Sequence, residues 1–255
     1  MKEFFGFGGY ERTPEGAYSW QHLVFVSSLM AVMVVLAVLL GKRNRPRSDD
    51  EKNRVLIWAA VLIDSLELFK IVLLCFREHD PMHWLITLPL FLCSIQLITI
   101  PLAAFSKGRV REGALDFVMI FGILGAVAGT FGAAQNYSSY PVLGFDNVVS
   151  GLTHAISGFA SLYILFAGMA SMKKRNIGVT FAIMIFFCIA AYIADLLIPY
   201  NYMFLMRGDG TPYDILYNLV GGSRIAYPIG VLTLFLLYIV LYYLIFYLIK
   251  KKKRS

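Results

Sequence analysis

Three ionisable residues lie in a stretch of the sequence that is otherwise apolar enough to enter a lipid bilayer. Asp64, Glu67 and Lys70 follow one another at intervals of three, which places them on one side of a helix within an arc of ~120°. A charge at the centre of a membrane helix costs at least ~2.5 to 3.5 kcal/mol, so such residues usually face the interior of a bundle. There they can relay charge in a transporter, although Glu67 and Lys70 can also neutralise each other as an i, i+3 pair.

Further polar residues recur at helical spacing in other apolar stretches. One stripe surrounds a single histidine and another ends in an aspartate: Ser150, His154, Ser157, Gly158 and Ser161, and Cys188, Tyr192 and Asp195. His22 lies near the start of the first apolar stretch, and Asn201 lies shortly after the sixth. An interhelical hydrogen bond would account for His154 equally well, and a position among the lipid headgroups would account for Asp195.

Cys93 and Gln96 lie one turn apart in the segment WLITLPLFLCSIQLITIPLAAF, residues 84–105. Pro89 and Pro101 each remove a backbone donor and free a carbonyl group, so this span is predicted to be a kinked helix that faces other helices or water. By spacing alone, a single cysteine in a membrane span is typically a small packing residue. The three cysteines of the chain have no close spacing, so neither a disulfide framework nor a zinc site is predicted.

The composition predicts an all-α protein, a polytopic bundle of membrane helices. Of 255 residues, 58% are hydrophobic and 15% are charged, which leaves too little polar surface to cover a soluble core. Seven spans of bilayer length are predicted, at residues 18–40, 55–76, 84–105, 114–132, 148–171, 177–199 and 227–249. No nucleic-acid-binding pattern is present in the sequence, and neither a metal nor another cofactor is predicted.

The distribution of Lys and Arg predicts the topology. Seventeen of these residues fall in the connections on one side of the predicted spans, and five fall on the other side. Because positive residues are enriched in cytoplasmic loops, the N-terminus is predicted to be extracellular and the C-terminus cytoplasmic, in the cell membrane. The predicted organisation is an extracellular interfacial lead (1–17), a seven-helix domain (18–249) with an outer loop at 200–226, and a basic cytoplasmic tail (250–255). The cytoplasmic loops are expected to attract anionic lipid.

The predicted directions of the spans place many of the polar residues at similar depth. Those on the outer side of the bilayer midplane are Lys70, Cys93, His154, Asp195, His22 and Asn201. A polar cavity open to the outer leaflet or the outer surface is therefore predicted, with Asp64, Glu67 and Gln96 as further supporting residues.

Glycines mark two other features. Four of them share one face of the fourth span and predict a close helix-packing seam: Gly122, Gly125, Gly129 and Gly132. In the outer loop, residues 208–210 predict a turn, 211–212 the start of a short amphipathic helix, and 221–222 its end. We expect that helix to lie flat on the outer surface, either as a lid over the cavity or as an interfacial tether.

Three segments resemble a known family. LPLFLCSIQLITIPLA in the third span, THAISGF in the fifth and NYMFLMRGDGTPYDIL after the sixth are similar to the YwaF-like integral membrane proteins of bacteria. That family is distantly related to a eukaryotic multi-pass acyltransferase that remodels polyunsaturated ether phospholipids. The resemblance implies a catalytic role for Cys93 as nucleophile and for His154 as base. The bacterial pattern usually has a histidine where this chain has Phe91, so no role is carried over to that position.

The implied chemistry is transfer of an acyl chain between membrane phospholipids. The Cys93 thiolate would attack an acyl ester to give a thioester and a lysophospholipid, and a second lysophospholipid, deprotonated by His154, would accept the chain. Gln96 or backbone groups would hold the oxyanion, and Lys70 or Arg77 would hold the phosphate.

Two other classes of function stay open from the sequence alone. A transporter, or a lipid- or ion-binding membrane protein, would use Asp64, Glu67, Lys70 and Asp195 as buried charges. A structural scaffold would need only an inert polar core. A retinal protein is disfavoured because the seventh span has no lysine for a Schiff base.

Overall fold

The computed structural model describes residues 2–252, which form helices joined by turns, without a β-strand in that range. The prediction of an all-α protein is therefore confirmed. The α-helices of the described range are α1 (Lys2–Phe5), α2 (Trp20–Asn44), α3 (Asp49–Arg77), α4 (Gln96–Phe105), α5 (Gly108–Phe131), α6 (Ala134–Ser139), α7 (Phe145–Ala167), α8 (Ile177–Leu197), α9 (Tyr213–Leu219) and α10 (Ala226–Lys252). Short 3-10 turns lie at His83–Ile86, Lys174–Asn176 and Tyr202–Phe204.

Five helices of the described range have the length and apolar composition of membrane spans: α2, α5 together with α6, α7, α8 and α10. They coincide with the first, fourth, fifth, sixth and seventh predicted spans. α3 has 29 residues and is long enough to cross a bilayer, but Asp64, Glu67 and Lys70 interrupt its apolar stretch. The count of seven spans stays a prediction.

The third predicted span is not the single kinked helix that the sequence predicts. Only Gln96–Phe105 is α-helical, and the preceding residues form the 3-10 turn and an irregular stretch over 87–95. Pro89 explains the break, because proline disfavours the helical conformation of the residue before it and has no N–H to donate. Pro101 lies inside α4 without ending it. The chain therefore reaches Cys93 through an irregular stretch.

The two central helices of the bundle are α5 and α7, which pack against each other. α4 and α8 also pack against α5, α2 packs along α7, and α3 bridges α4 and α7. α10 packs on α8, and only five of its 27 residues are buried. α10 therefore lies at the periphery of the bundle.

The basic connections gather at one end of the bundle, around a buried carboxylate. Asp116 of α5 is fully buried and accepts hydrogen bonds from the N–H groups of Ser171 and Met172 at 3.2 and 3.1 Å. The Asn176 amide and the Tyr243 hydroxyl donate to the same carboxylate at 2.7 and 2.9 Å. Asp116 thus joins α5, the α7–α8 connection and α10.

The N-terminal residues pack against the opposite end. The rings of Phe5 and Phe145 lie 5.4 Å apart, and the Tyr10 hydroxyl donates to Asp146 at 2.6 Å. Residues 2–17 of the predicted lead are thus docked onto the start of α7, and residue 1 lies outside the described range. In the predicted basic tail, 250–252 end α10 and 253–255 lie outside the described range.

Candidate functional site

Cys93 lies in a tight turn just before α4. The Ile95 N–H donates to the Phe91 carbonyl at 3.0 Å, and the Ser94 hydroxyl accepts from the Phe91 N–H at 3.0 Å and donates to the Phe91 carbonyl at 3.2 Å. The N–H groups of Cys93 and Ser94 make no hydrogen bond to another backbone group within residues 2–252. Free N–H groups at the start of a helix carry partial positive charge, which favours a thiolate at this position.

Tyr202 holds the irregular stretch in place. Its side chain is fully buried, and its hydroxyl donates to the Leu85 carbonyl at 2.5 Å while accepting the Leu88 N–H at 3.2 Å. The Tyr202 N–H in turn donates to Asp195 at 2.7 Å. The backbone groups that are left free near Pro89 are therefore hydrogen-bonded to the Tyr202 hydroxyl. Asp195 of α8 in turn holds Tyr202 in position through its backbone N–H.

His154 is oriented by its own helix. Its Nδ1 lies 2.6 Å from the Ser150 carbonyl and 3.4 Å from the Ser150 hydroxyl. A carbonyl can only accept, so Nδ1 carries the proton, and in the neutral ring Nε2 carries the lone pair. The backbone of α7 thus selects the tautomer that can act as a base through Nε2.

The Cys93 thiol and the His154 imidazole face each other across one cavity. Both residues line that cavity, and neighbouring positions of α5, Gly125 and Gly129, lie against Cys93 and the His154 ring respectively. The alignment of the thiol and the ring is looser than that of a formed hydrogen bond, and Nε2 is buried without a partner among residues 2–252. Loose contacts of this kind are common in active sites without substrate. A sulfur and an unprotonated ring nitrogen are thus brought together from two separate elements.

The cavity around this pair has a volume of about 910 Å³. Its wall is made by α3, the segment 83–97, the first turns of α7, and the connections 132–140 and 199–211. The wall contains both polar and apolar side chains, among them Thr87, Phe91, Ser94, Thr153, Tyr200 and Phe204. The size is that of a pocket for a ligand of several hundred daltons, and the mixed wall suits an amphiphile.

The cations of the cavity wall are paired with carboxylates. Lys70 lies 2.5 Å from Glu67, the i, i+3 pair that the spacing allows. Arg77 makes a bidentate contact with Asp146 at 2.7 and 3.0 Å, and burial followed by the hydrogen bond to Asp146 raises the pKa of the Tyr10 hydroxyl.

Arg77 also donates to the Phe5 carbonyl and to Glu78, so its donors are occupied, and its side chain is only 7% exposed. This leaves Arg77 poorly placed to hold a phosphate. It serves as a link between α3, α7 and the N-terminal residues.

Five of the predicted site residues line the cavity together: Cys93, His154, Glu67, Lys70 and Asn201. Asn201 fixes the 199–211 connection, because its amide donates to the Arg207 carbonyl and to Asp209, both at 2.8 Å. Asp195 does not line the cavity. It accepts a hydrogen bond from the backbone N–H of Tyr202, whose side chain holds the segment that forms part of the cavity wall.

The remaining predicted residues lie away from the cavity wall. Gln96 is fully buried, its oxygen accepts from Thr99 at 2.9 Å, and its amide nitrogen has no partner among residues 2–252. His22 donates from Nε2 to the Thr130 carbonyl at 3.2 Å and stacks on Tyr137, so it joins α2 to the end of α5. Asp64 is half-buried and has no hydrogen bond or ion pair within the described chain.

Sequence reasoning does not single out Ser150 as the group that orients His154, nor Tyr202 and Asp146. Ser150 belongs to the predicted polar stripe, so its spacing of four from His154 is the available signal. Tyr202 and Asp146 lie outside the predicted spans, where no periodic pattern indicates which side chain turns inward; in the structure Asp146 belongs to the first turn of α7.

Comparison with known proteins yields one match. No curated protein and no solved structure is significantly similar to the chain. The family model described as the TMEM164 family, a membrane protein family, matches residues 17–248. That range contains α2 to α9 and most of α10, together with both members of the Cys93–His154 pair. The chain therefore belongs to the TMEM164 family.

Proposed function

We propose that this protein is a phospholipid acyltransferase, in which Cys93 is the nucleophile and His154 the general base. The observation that carries the proposal is that Cys93 and His154 line one cavity, with His154 Nδ1 engaged by the Ser150 carbonyl and Nε2 left without a partner among residues 2–252. A thiol needs such a base to be an effective nucleophile at neutral pH.

In the first half-reaction the thiol proton moves to His154 Nε2 and the sulfur attacks the carbonyl carbon of a phospholipid acyl ester. The carbon–oxygen bond breaks, the departing glycerol oxygen takes the proton from His154, and a lysophospholipid leaves. The acyl chain stays on Cys93 as a thioester. In the second half-reaction a lysophospholipid hydroxyl gives its proton to His154 while its oxygen attacks the thioester. The carbon–sulfur bond breaks, and the departing sulfur takes the proton from His154, which restores the thiol and the neutral imidazole.

The oxyanion of both steps would be held by the backbone N–H groups of Cys93 and Ser94. They lie in the turn just before α4 and are not used in backbone hydrogen bonds within residues 2–252, so they are available to donate to developing negative charge. Gln96 is the less favourable donor, because its side chain does not line the cavity.

We also propose that the chain crosses the membrane seven times, with α3 and the segment 84–105 as the second and third crossings. The uneven distribution of Lys and Arg supports an extracellular N-terminus and a cytoplasmic C-terminus in the cell membrane. In that orientation the cavity opens towards the outer leaflet, where phospholipid or lysophospholipid would bind. The basic loops at the other end would attract anionic lipid.

A second candidate function is transport or ion binding. It is supported by the Glu67–Lys70 pair in the cavity wall and by Asp64, a half-buried carboxylate one turn earlier in α3. Asp195, the fourth charge of that hypothesis, is already bound to the Tyr202 backbone.

The test is acyl transfer by purified protein in vesicles that contain a phospholipid with a labelled acyl chain and an unlabelled lysophospholipid. We expect labelled product, and a hydroxylamine-sensitive acyl group on the Cys93 peptide detected by mass spectrometry. Cys93→Ala and His154→Ala should lose both signals. Cys188→Ala is the matched control, because that cysteine is buried in the core, with its sulfur 3.8 and 3.7 Å from the sulfurs of Met184 and Met203, and does not line the cavity. Transfer that survives Cys93→Ala would exclude the proposal, and a proton-coupled flux lost in Glu67→Gln would favour the transporter.

A further inference from the structure

We infer that Gly125 and Gly129 of α5 are positioning residues that set the approach of Cys93 to His154. The inference deepens the proposed function and rests on it. A methyl group added to Gly129 would overlap the His154 ring at Nε2 and Cδ2. A methyl group added to Gly125 would lie 3.3 Å from the Cα and 3.4 Å from the Cβ of Cys93.

The two glycines are one helical turn apart on the same face of α5. Side-chain positions at this spacing are about 5–6 Å apart. Cys93 rests on one position and His154 on the next, so α5 holds the two residues side by side at a separation that their side chains can bridge. Any side chain at Gly129 would occupy the place of the His154 ring edge that carries Nε2.

The other two glycines on this face of α5 lie against residues other than Cys93 and His154. A methyl group on Gly122 would lie 2.7 Å from the Ser157 carbonyl and 2.8 Å from the Ser161 Cβ, both on α7. Gly122 therefore belongs to the predicted helix-packing seam. Gly132 caps the end of α5 and meets only its own helix. On this face of α5, Gly122 therefore serves helix packing, whereas Gly125 and Gly129 lie against Cys93 and His154.

Substitutions at Gly129 and Gly125 should lower the reaction rate by different amounts. Gly129→Ala must displace the imidazole, and a misplacement of about 1 Å can cost on the order of 100-fold in rate. Gly125→Ala requires a shift of only a few tenths of an ångström, so we expect a loss of less than about 10-fold. Gly122→Ala should lower thermal stability by disturbing the α5–α7 contact without changing the chemistry at Cys93.

The experiment measures the rate of alkylation at Cys93 against pH, resolved at the Cys93 peptide by mass spectrometry, in detergent-solubilised full-length protein. We expect the Gly129→Ala profile to coincide with that of His154→Ala, and the double variant to match either single variant. The Gly122→Ala profile should match the wild type. A Gly129→Ala profile identical to the wild type would overturn the inference, as would a double variant that differs clearly from His154→Ala.

Thermal unfolding provides a second readout in case Gly129→Ala folds poorly. If the methyl group is harmful only because it meets the imidazole, removing that ring must restore stability, so Gly129→Ala/His154→Ala should melt above Gly129→Ala alone. Failure of that rescue would also overturn the inference. The alkylation profile needs no lipid substrate. A wild-type protein without acyl transfer but with these profile differences would therefore refute the proposed function and leave the positioning role intact.

Discussion

Replacing Tyr202 by phenylalanine removes one hydroxyl that serves two backbone groups of the irregular stretch. The Leu85 carbonyl loses a donor at 2.5 Å and the Leu88 N–H loses an acceptor at 3.2 Å. A buried polar group left without a partner costs about 1–3 kcal/mol. Leu88 lines the cavity, so water can serve its N–H, and we expect a net loss of about 2 kcal/mol.

A loss of that size should be measurable as a fall of about 4–8 °C in melting temperature in detergent, at ~2–4 °C per kcal/mol for a chain of this length. Tyr200→Phe is the matched control. Tyr200 belongs to the same connection, and its ring lies 4.8 Å from that of Tyr202. Its hydroxyl makes no hydrogen bond with residues 2–252, so its removal should cost less than ~0.5 kcal/mol.

The same substitution should also slow the chemistry, because the stretch that Tyr202 holds leads directly to Cys93. We expect acyl transfer by Tyr202→Phe to fall at least 10-fold at a temperature where the protein is still folded. Equal melting temperatures for Tyr202→Phe and Tyr200→Phe would refute the reasoning, since the Tyr202 hydroxyl bonds to two backbone groups and the Tyr200 hydroxyl to none among residues 2–252.

Substitutions at three further polar contacts provide the other tests. Asp146→Ala removes the bidentate partner of the buried Arg77 guanidinium and leaves it only Glu78 and the Phe5 carbonyl as hydrogen-bond partners among residues 2–252. We therefore expect a loss of about 3 kcal/mol in thermal unfolding, at the lower end of the cost of breaking a buried pair, part of which Arg77→Met should restore. Asp116→Leu removes the acceptor of two buried N–H groups and should cost about 1–3 kcal/mol for each group left unpaired, while acyl transfer by the protein that remains folded should be unchanged. Lys70→Met and Glu67→Gln should each destabilise the chain more than the double variant does; strictly additive losses would contradict the ion pair.

The membrane helices are largely predictable because their signal is local. An apolar run of about 20 residues bounded by charges or turn residues is sufficient, and the predicted span 148–171 overlaps the observed Phe145–Ala167 closely. The prediction of one kinked helix over 84–105 is wrong because a proline permits a break in a helix but does not require one. Whether the chain takes that option depends on a partner for the freed groups, and Tyr202 lies far away in the sequence.

The site is less predictable for the same reason. Cys93 and Gln96 are assigned to one face on the assumption of a continuous helix, but α4 begins only at Gln96. The turn before it directs Cys93 to the cavity, and Gln96 is buried away from it. The role of His22 could not be predicted from the sequence either. Its function as a donor to Thr130 depends on where α5 ends, which no spacing within the first span reveals.

The break in the third span connects the fold to the proposed chemistry. In an unbroken helix the N–H of Cys93 would be bonded to a carbonyl four residues earlier, and no free donors would face the sulfur. The break at Pro89 creates the start of a helix inside the bundle, with the N–H groups of Cys93 and Ser94 free to stabilise negative charge. Irregular backbone is tolerated at such depth only where it lines a cavity or finds protein partners, and Tyr202 provides those partners. The same local irregularity thus produces the cavity wall, the anion-stabilising groups and the dependence of both on the 199–211 connection.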